Sequence, residues 1–184
     1  MNPLVETVSQ ILSAGSIVLQ IAAVLGLITF TFSLSARDWF SKKIGKGSSF
    51  IALVIVSVAV LGSLFYSEIA NFTPCILCWY QRVFLYPQVV ILVIALWKKE
   101  QVSDYIIGLS IPGAIIAGYQ YYGQTFNASV LPCSAATGVS PCAQKFFEEL
   151  GYITIPMLSL SVFLIIIFLM LIDKKSRKSG ALEN

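Results

Sequence analysis

No histidine occurs anywhere in this 184-residue sequence. That absence removes Ser-His and Cys-His nucleophilic catalysis and the commonest metal ligand together. Charge is nearly as scarce. Asp, Glu, Lys and Arg make up 11% of the chain against 57% hydrophobic residues, a balance too apolar for an ordinary soluble domain and suited to a bilayer. The net charge of +3 is carried in short clusters beside apolar runs, which reads as topology and not as a nucleic-acid patch. Cysteine is limited to four residues, Cys75, Cys78, Cys133 and Cys142, and these are the reactive side chains that remain.

What the chain does have is long uncharged runs. Residues 11–34, 48–67, 83–97 and 153–172 carry no charge, and a spanning helix needs roughly 18 to 20 such residues. The run at 83–97 reaches that length only if its helix begins near Cys78, which brings Arg82 into the first turns. A fifth run, 105–122, is interrupted only by Pro112 and glycines, which membrane helices tolerate. The expectation is an all-α integral membrane protein with five spans. No Lys or Arg precedes the first run, and it is too long for the ~7 to 15 residues of a signal-peptide core, so it is expected to be retained as a helix.

Ten of the twelve basic residues flank spans one, three and five on one side: Arg37, Lys42, Lys43 and Lys46, then Lys98 and Lys99, then Lys174, Lys175, Arg177 and Lys178. By the positive-inside rule that side is the cytoplasm, with the N-terminus outside and the C-terminus inside. The loops at 68–74 and 124–152, which border or contain all four cysteines, then face outward into the compartment where disulfides persist. The inner connections, 35–47 and 98–104, carry no recognisable constellation. In the long outer loop, Phe146, Phe147 and Leu150 oppose Lys145, Glu148 and Glu149 ahead of Gly151, which predicts a short amphipathic helix on the membrane surface or against protein. The polar tail, 173–184, is expected to be disordered.

The cysteines form two pairs. Thr73 can cap, and Pro74 can begin, a helix starting at about Cys75, which puts the Cys75–x–x–Cys78 thiols at a helix N-terminus, where unpaired N–H groups and the dipole favour a thiolate. Arg82 lies four residues beyond Cys78 and so on the same face, a fixed positive charge within reach of a thiolate or of a reduced acceptor beside it. Alternatively Arg82 snorkels to lipid headgroups. Gln81 can hydrogen-bond an acceptor's carbonyl; Trp79, Tyr80 and Tyr86 suit the interfacial belt and packing. Four thiolates could close a zinc site, although the nine-residue gap between Cys133 and Cys142 is outside the usual close ligand spacing, and two structural disulfides in a scaffold protein are the other alternative.

The stretch PCILCWYQR, residues 74–82, resembles the signature of the DsbB family of membrane thiol:quinone oxidoreductases, and GYITIPMLSLSVF, 151–163, is similar to its Gram-positive branch, BdbC. The resemblance covers roughly 48–172. It implies a four-helix bundle, here with one extra N-terminal transmembrane helix, and a division into 1–47 (N-terminal helix and cytoplasmic loop), 48–172 (membrane domain) and 173–184 (cytoplasmic tail). It also implies a relay in the cell membrane. A thioredoxin-like dithiol oxidase of the DsbA or BdbD kind would form its mixed disulfide with Cys133, Cys142 would exchange with Cys75, and Cys78 would face a quinone, menaquinone or ubiquinone, with Arg82 and Gln81 beside it. Membrane lipid is the other expected partner, and no nucleic acid is expected. The histidine that some members have near the quinone is missing, so protonation there must use water or another donor. A vitamin-K-epoxide-reductase-like enzyme pairs cysteines similarly, but its C-x-x-C lies toward the end of its helix arrangement without a following Gln-Arg.

Overall fold

The longest apolar run forms the first helix, α1 (Pro3–Phe32), of the computed structural model, which describes residues 3–131, 142, 143, 145, 146, 148 and 151–180. Then come α2 (Leu34–Ile44), α3 (Ser48–Leu64), α4 (Ile76–Lys98), α5 (Ser103–Thr125) and α6 (Ile155–Gly180), six α-helices among the described residues. Helices α1, α4 and α6, and α3 together with the π-helical turn Phe65–Ile69 that continues it, are long and apolar enough to cross a membrane. The fifth expected span, α5, has the same 23 residues as α4, about 34 Å at 1.5 Å per residue, but is less apolar. Its polar residues are used inside the bundle: Ser103, Ser110 and Gln120 are buried, and Ser110 Oγ donates to Gln88 Oε1 of α4 at 3.3 Å.

Helix α6 is the axis of the bundle. α1, α2, α3 and α5 all pack on it, and Phe163, Ile166, Met170 and Ile172 are its fully buried surface. Two glycines permit this closeness: a Cβ at Gly26 of α1 would collide with the Phe168 ring, and one at Gly113 of α5 with the Phe163 ring. The remaining helix, α4, packs between α3 and α5.

The tail expected to be disordered is instead helical through Gly180. Asp173, 3% exposed, accepts from Ser103 Oγ at 2.6 Å, from Ser49 Oγ at 3.2 Å, from Ser48 Oγ at 3.3 Å and from Arg177 Nε at 3.1 Å. One carboxylate thus joins the starts of α3 and α5 to α6, and the salt bridges Lys174–Asp104 and Lys175–Asp38 anchor the next turn. The inner connection 35–47, unassigned from sequence, forms α2 and a 3₁₀ turn at Gly45–Gly47. The expected amphipathic helix is absent where it is described: Lys145, Phe146 and Glu148 are not helical, because Phe146 is drawn into a ring stack with Phe72 at a centroid distance of 4.6 Å. Phe147, Glu149 and Leu150 lie outside the described residues, as does Cys133.

Candidate functional site

The chain enters α4 one residue later than its Thr-Pro start suggests. Cys75, at ψ 171°, is still extended and is itself the N-cap, its carbonyl accepting from Trp79 N at 3.1 Å, and no side-chain cap forms. Cys78 then falls at the third helical position, inside the first turn, where backbone N–H groups lack intrahelical acceptors. The Cys75 thiol donates to Cys78 Sγ at 3.3 Å, and both cysteines are free. That hydrogen bond and burial push the Cys75 thiol above its ordinary range, so Cys75 holds the proton of the pair.

Gln120 of α5 completes the pair's surroundings. Its amide Nε2 donates to Cys75 Sγ at 3.3 Å and lies 3.5 Å from Cys78 Sγ, while its Oε1 accepts from Gln81 Nε2 at 2.7 Å. Gln81, expected to reach an acceptor, gives one amide N–H to Gln120 and also lines the cavity beside Cys78, and both amides are buried. Gln120 was not singled out from sequence. A polar amide among the tyrosines and glycines of an apolar helix is the signal that could have found it.

Arg82 does share a face with Cys78, and both open onto one cavity of about 530 Å³. Its Nη2 donates to the Ser63 carbonyl of α3 at 3.0 Å and its guanidinium sits 5.2 Å from the Trp79 ring. Ser63 lies just before the switch from α- to π-helical winding, and such wide turns offset the backbone ladder and leave a carbonyl open to another donor. Tyr66, within the π turn, stacks on Phe72 at 5.7 Å, and Phe72 on Phe146 at 4.6 Å, so three rings roof the cavity. Below them the lining is almost entirely aliphatic, from α1, α3, α4 and α6.

Cys142 is disulfide-bonded, which takes it out of any four-thiolate zinc shell, and it packs in one buried cluster with Cys75, Leu77 and Leu131. Its carbonyl accepts from Gln124 Nε2 of α5 at 2.9 Å. The bundle thus brings Cys75, Cys78 and Cys142 to one end and the Asp173 clip with its flanking basic residues to the other. Chemically, the first end is a dithiol beside a disulfide-bonded cysteine, next to an apolar chamber into which Arg82 opens.

Comparison with known proteins agrees with this arrangement. The family model described as Disulfide bond formation protein DsbB matches residues 46–172. The SPbeta prophage-derived disulfide bond formation protein B of Bacillus subtilis (strain 168) is 45% identical over 121 residues, covering 65% of this chain and 80% of that protein. Disulfide bond formation protein C of the same organism is 41% identical over 124 residues, 66% of this chain and 88% of that protein. A probable disulfide formation protein of Oceanobacillus iheyensis is 35% identical over 145 residues, 75% of this chain and 99% of that protein. No solved structure gives a significant match. The helical bundle, the paired cysteines and the matched segment that contains all four of them lead to one conclusion: this chain belongs to the DsbB family of disulfide bond formation proteins.

Proposed function

We propose that this protein is a membrane thiol:quinone oxidoreductase that reoxidises an extracytoplasmic thioredoxin-like dithiol oxidase of the DsbA or BdbD kind. The observation that carries this reading is that Cys78 and Arg82 open side by side onto an otherwise apolar chamber, while Cys75 backs onto Cys142. An acceptor suited to that chamber has a small polar ring and an apolar body, which describes a membrane quinone, menaquinone or ubiquinone; bound there, it supplies a sink for two electrons and two protons. Each exchange is thiolate attack on a disulfide: the partner's dithiol reduces the loop pair of Cys133 and Cys142, and the loop dithiol in turn reduces a Cys75–Cys78 disulfide. The reduced Cys75 and Cys78 then return to the disulfide by giving up two electrons and two protons.

Within this scheme the chain's residues divide the work. Cys75, held by Cys78 and Gln120, packs in one cluster with Cys142; Cys78 faces the chamber. Arg82, anchored on Ser63, offers positive charge where negative charge develops, and charge-assisted hydrogen bonds of this kind are the strong ones. A scaffold reading with two structural disulfides accords less well with Cys75 and Cys78 standing as free thiols. The positive-inside count puts the four cysteines on the extracytoplasmic side.

The test is to purify the protein with native lipid, identify bound quinone, and add a reduced dithiol oxidase. The expected result is quinone reduction that requires Cys78. Absence of any bound or reducible quinone would overturn the reading.

A further inference from the structure

We infer that α1, which precedes the matched family segment, is the hydrocarbon wall of the acceptor chamber, and that Gly15 keeps open the space for a long apolar tail on the quinone. The inference rests on the acceptor reading above.

The packing creates the space. Helices α1 and α3 each lie along α6 but do not pack along one another. They are bridged at the roofed end, where Tyr66 Oη donates to Ser9 Oγ at 3.2 Å and Leu12 faces Gly62. Below this bridge the two helices stand apart, and the chamber occupies the gap. Ile11 and Val18 of α1 are 66% and 67% exposed, and Val54 and Val58 of α3 are exposed opposite them, so the chamber's mouth is an aliphatic slot facing lipid.

The chemistry of the two walls differs. The α4 wall offers Cys78, Gln81 and Arg82; the α1 wall offers Leu12, Gly15 and Leu19, and its only hydroxyl, Ser16 Oγ, already donates to the Ser13 carbonyl at 2.8 Å. No α1 residue lining the chamber has a free donor for a ring carbonyl. What it can hold is hydrocarbon, and its lining positions run two turns along the helix, the shape of a groove for a chain. At Gly15 a Cβ would meet nothing within 4 Å, so the position is unfilled space and not a tight helix crossing. The occupant is therefore a quinone carrying a long apolar tail, its ring against α4 and its tail along α1. Selection by tail belongs to this added helix and not to the cysteine end.

The experiment uses the full chain in lipid nanodiscs. KM and kcat are measured for a long-tailed quinone and for its tail-less analogue with wild type, Gly15→Phe and Gly108→Phe, the last on α5 outside the chamber and also without neighbours within 4 Å of its Cβ. A long-tailed quinone with a photoreactive group on the tail is cross-linked to the wild type and the labelled peptide is sequenced. The expected result is KM for the tailed quinone raised about tenfold or more in Gly15→Phe, since even single methylenes misplaced in an apolar pocket cost that much. KM for the tail-less analogue stays near wild type, Gly108→Phe behaves as wild type, and label falls within residues 11–19. If Gly15→Phe does not fold, the label in wild type decides. Label confined to α3, α4 and α6 would overturn the role of α1 alone; a wild type that reduces neither quinone would overturn the acceptor reading with it.

Discussion

Gln81 Nε2 meets Gln120 Oε1 at 2.7 Å across the contact of α4 and α5, and this bond sets which way Gln120 faces. With its oxygen held by Gln81 and 3.8 Å from Cys78 Sγ, the Gln120 amide presents its NH₂ to Cys75 Sγ at 3.3 Å. The pair of amides is thus an oriented donor for sulfur that carries negative charge during exchange.

Substituting Gln120 tests that orientation. Gln120→Leu removes the donor and strands the Gln81 amide, so single-turnover exchange should slow by about tenfold to a hundredfold, the equivalent of the ~1.5 to 3 kcal/mol of a hydrogen bond to a charged group. Gln120→Glu should be slower still, because a carboxylate can satisfy Gln81 but repels a thiolate. Stopped-flow exchange with a small disulfide measures both. Equal rates in Gln120→Leu and wild type would show the contact to be packing alone.

Arg82 should act on the acceptor side only. Arg82→Met should lower quinone affinity or rate on the order of tenfold to a hundredfold, again from loss of a charge-assisted hydrogen bond, with exchange between the cysteine pairs intact. Arg82→Lys keeps the charge but cannot donate both to Ser63 O and into the chamber from one planar fork, so it should fall between. Quinone reduction against quinone concentration separates the three. A wild-type curve for Arg82→Met would return Arg82 to the role of an interfacial anchor.

Asp173 gives a stability prediction at the opposite end. Asp173→Ala leaves Ser48, Ser49 and Ser103 without their common acceptor, and should cost ~1.5 to 3 kcal/mol, visible as a lower midpoint of thermal unfolding in detergent. Asp173→Asn, which keeps an acceptor oxygen, should lose less. Exchange rates per folded molecule should not change, since the carboxylate lies at the far end of α6 from the cysteines.

Local signals in the sequence were enough for the spans, the helix carrying Cys78 and the shared face of Cys78 and Arg82, because charge-free length and helical phase are properties of neighbouring residues. Features made by distant residues were not legible. The tail looked disordered because nothing in 173–184 announces that Asp173 will meet three serines from two other helices. Phe146 looked like part of a surface helix because its stacking partner, Phe72, is in another loop. The pairing of Gln81 with Gln120 was hidden because the two are 39 positions apart. The chamber itself arises from the separation of α1 and α3 on α6, which no single segment encodes.

The order of transfer in the proposed relay can be tested at the cysteines. Cys142 is 0% exposed and packs in one buried cluster with Cys75, itself 7% exposed, which accords with exchange between these two cysteines. In the proposed relay entry is through Cys133, and a resolving thiol at Cys142 releases the partner. Cys142→Ser should therefore accumulate a mixed disulfide between Cys133 and the dithiol oxidase, and Cys133→Ser should form none. The adducts are separated on a non-reducing gel and the linked peptides identified by mass spectrometry. In sealed, right-side-out vesicles the reduced loop thiols should also react with a membrane-impermeant reagent from outside. Adducts formed chiefly through Cys75 would mean that the partner docks on the C-x-x-C pair and that the relay runs the other way; labelling confined to inverted vesicles would reverse the topology on which the outward-facing cysteines depend.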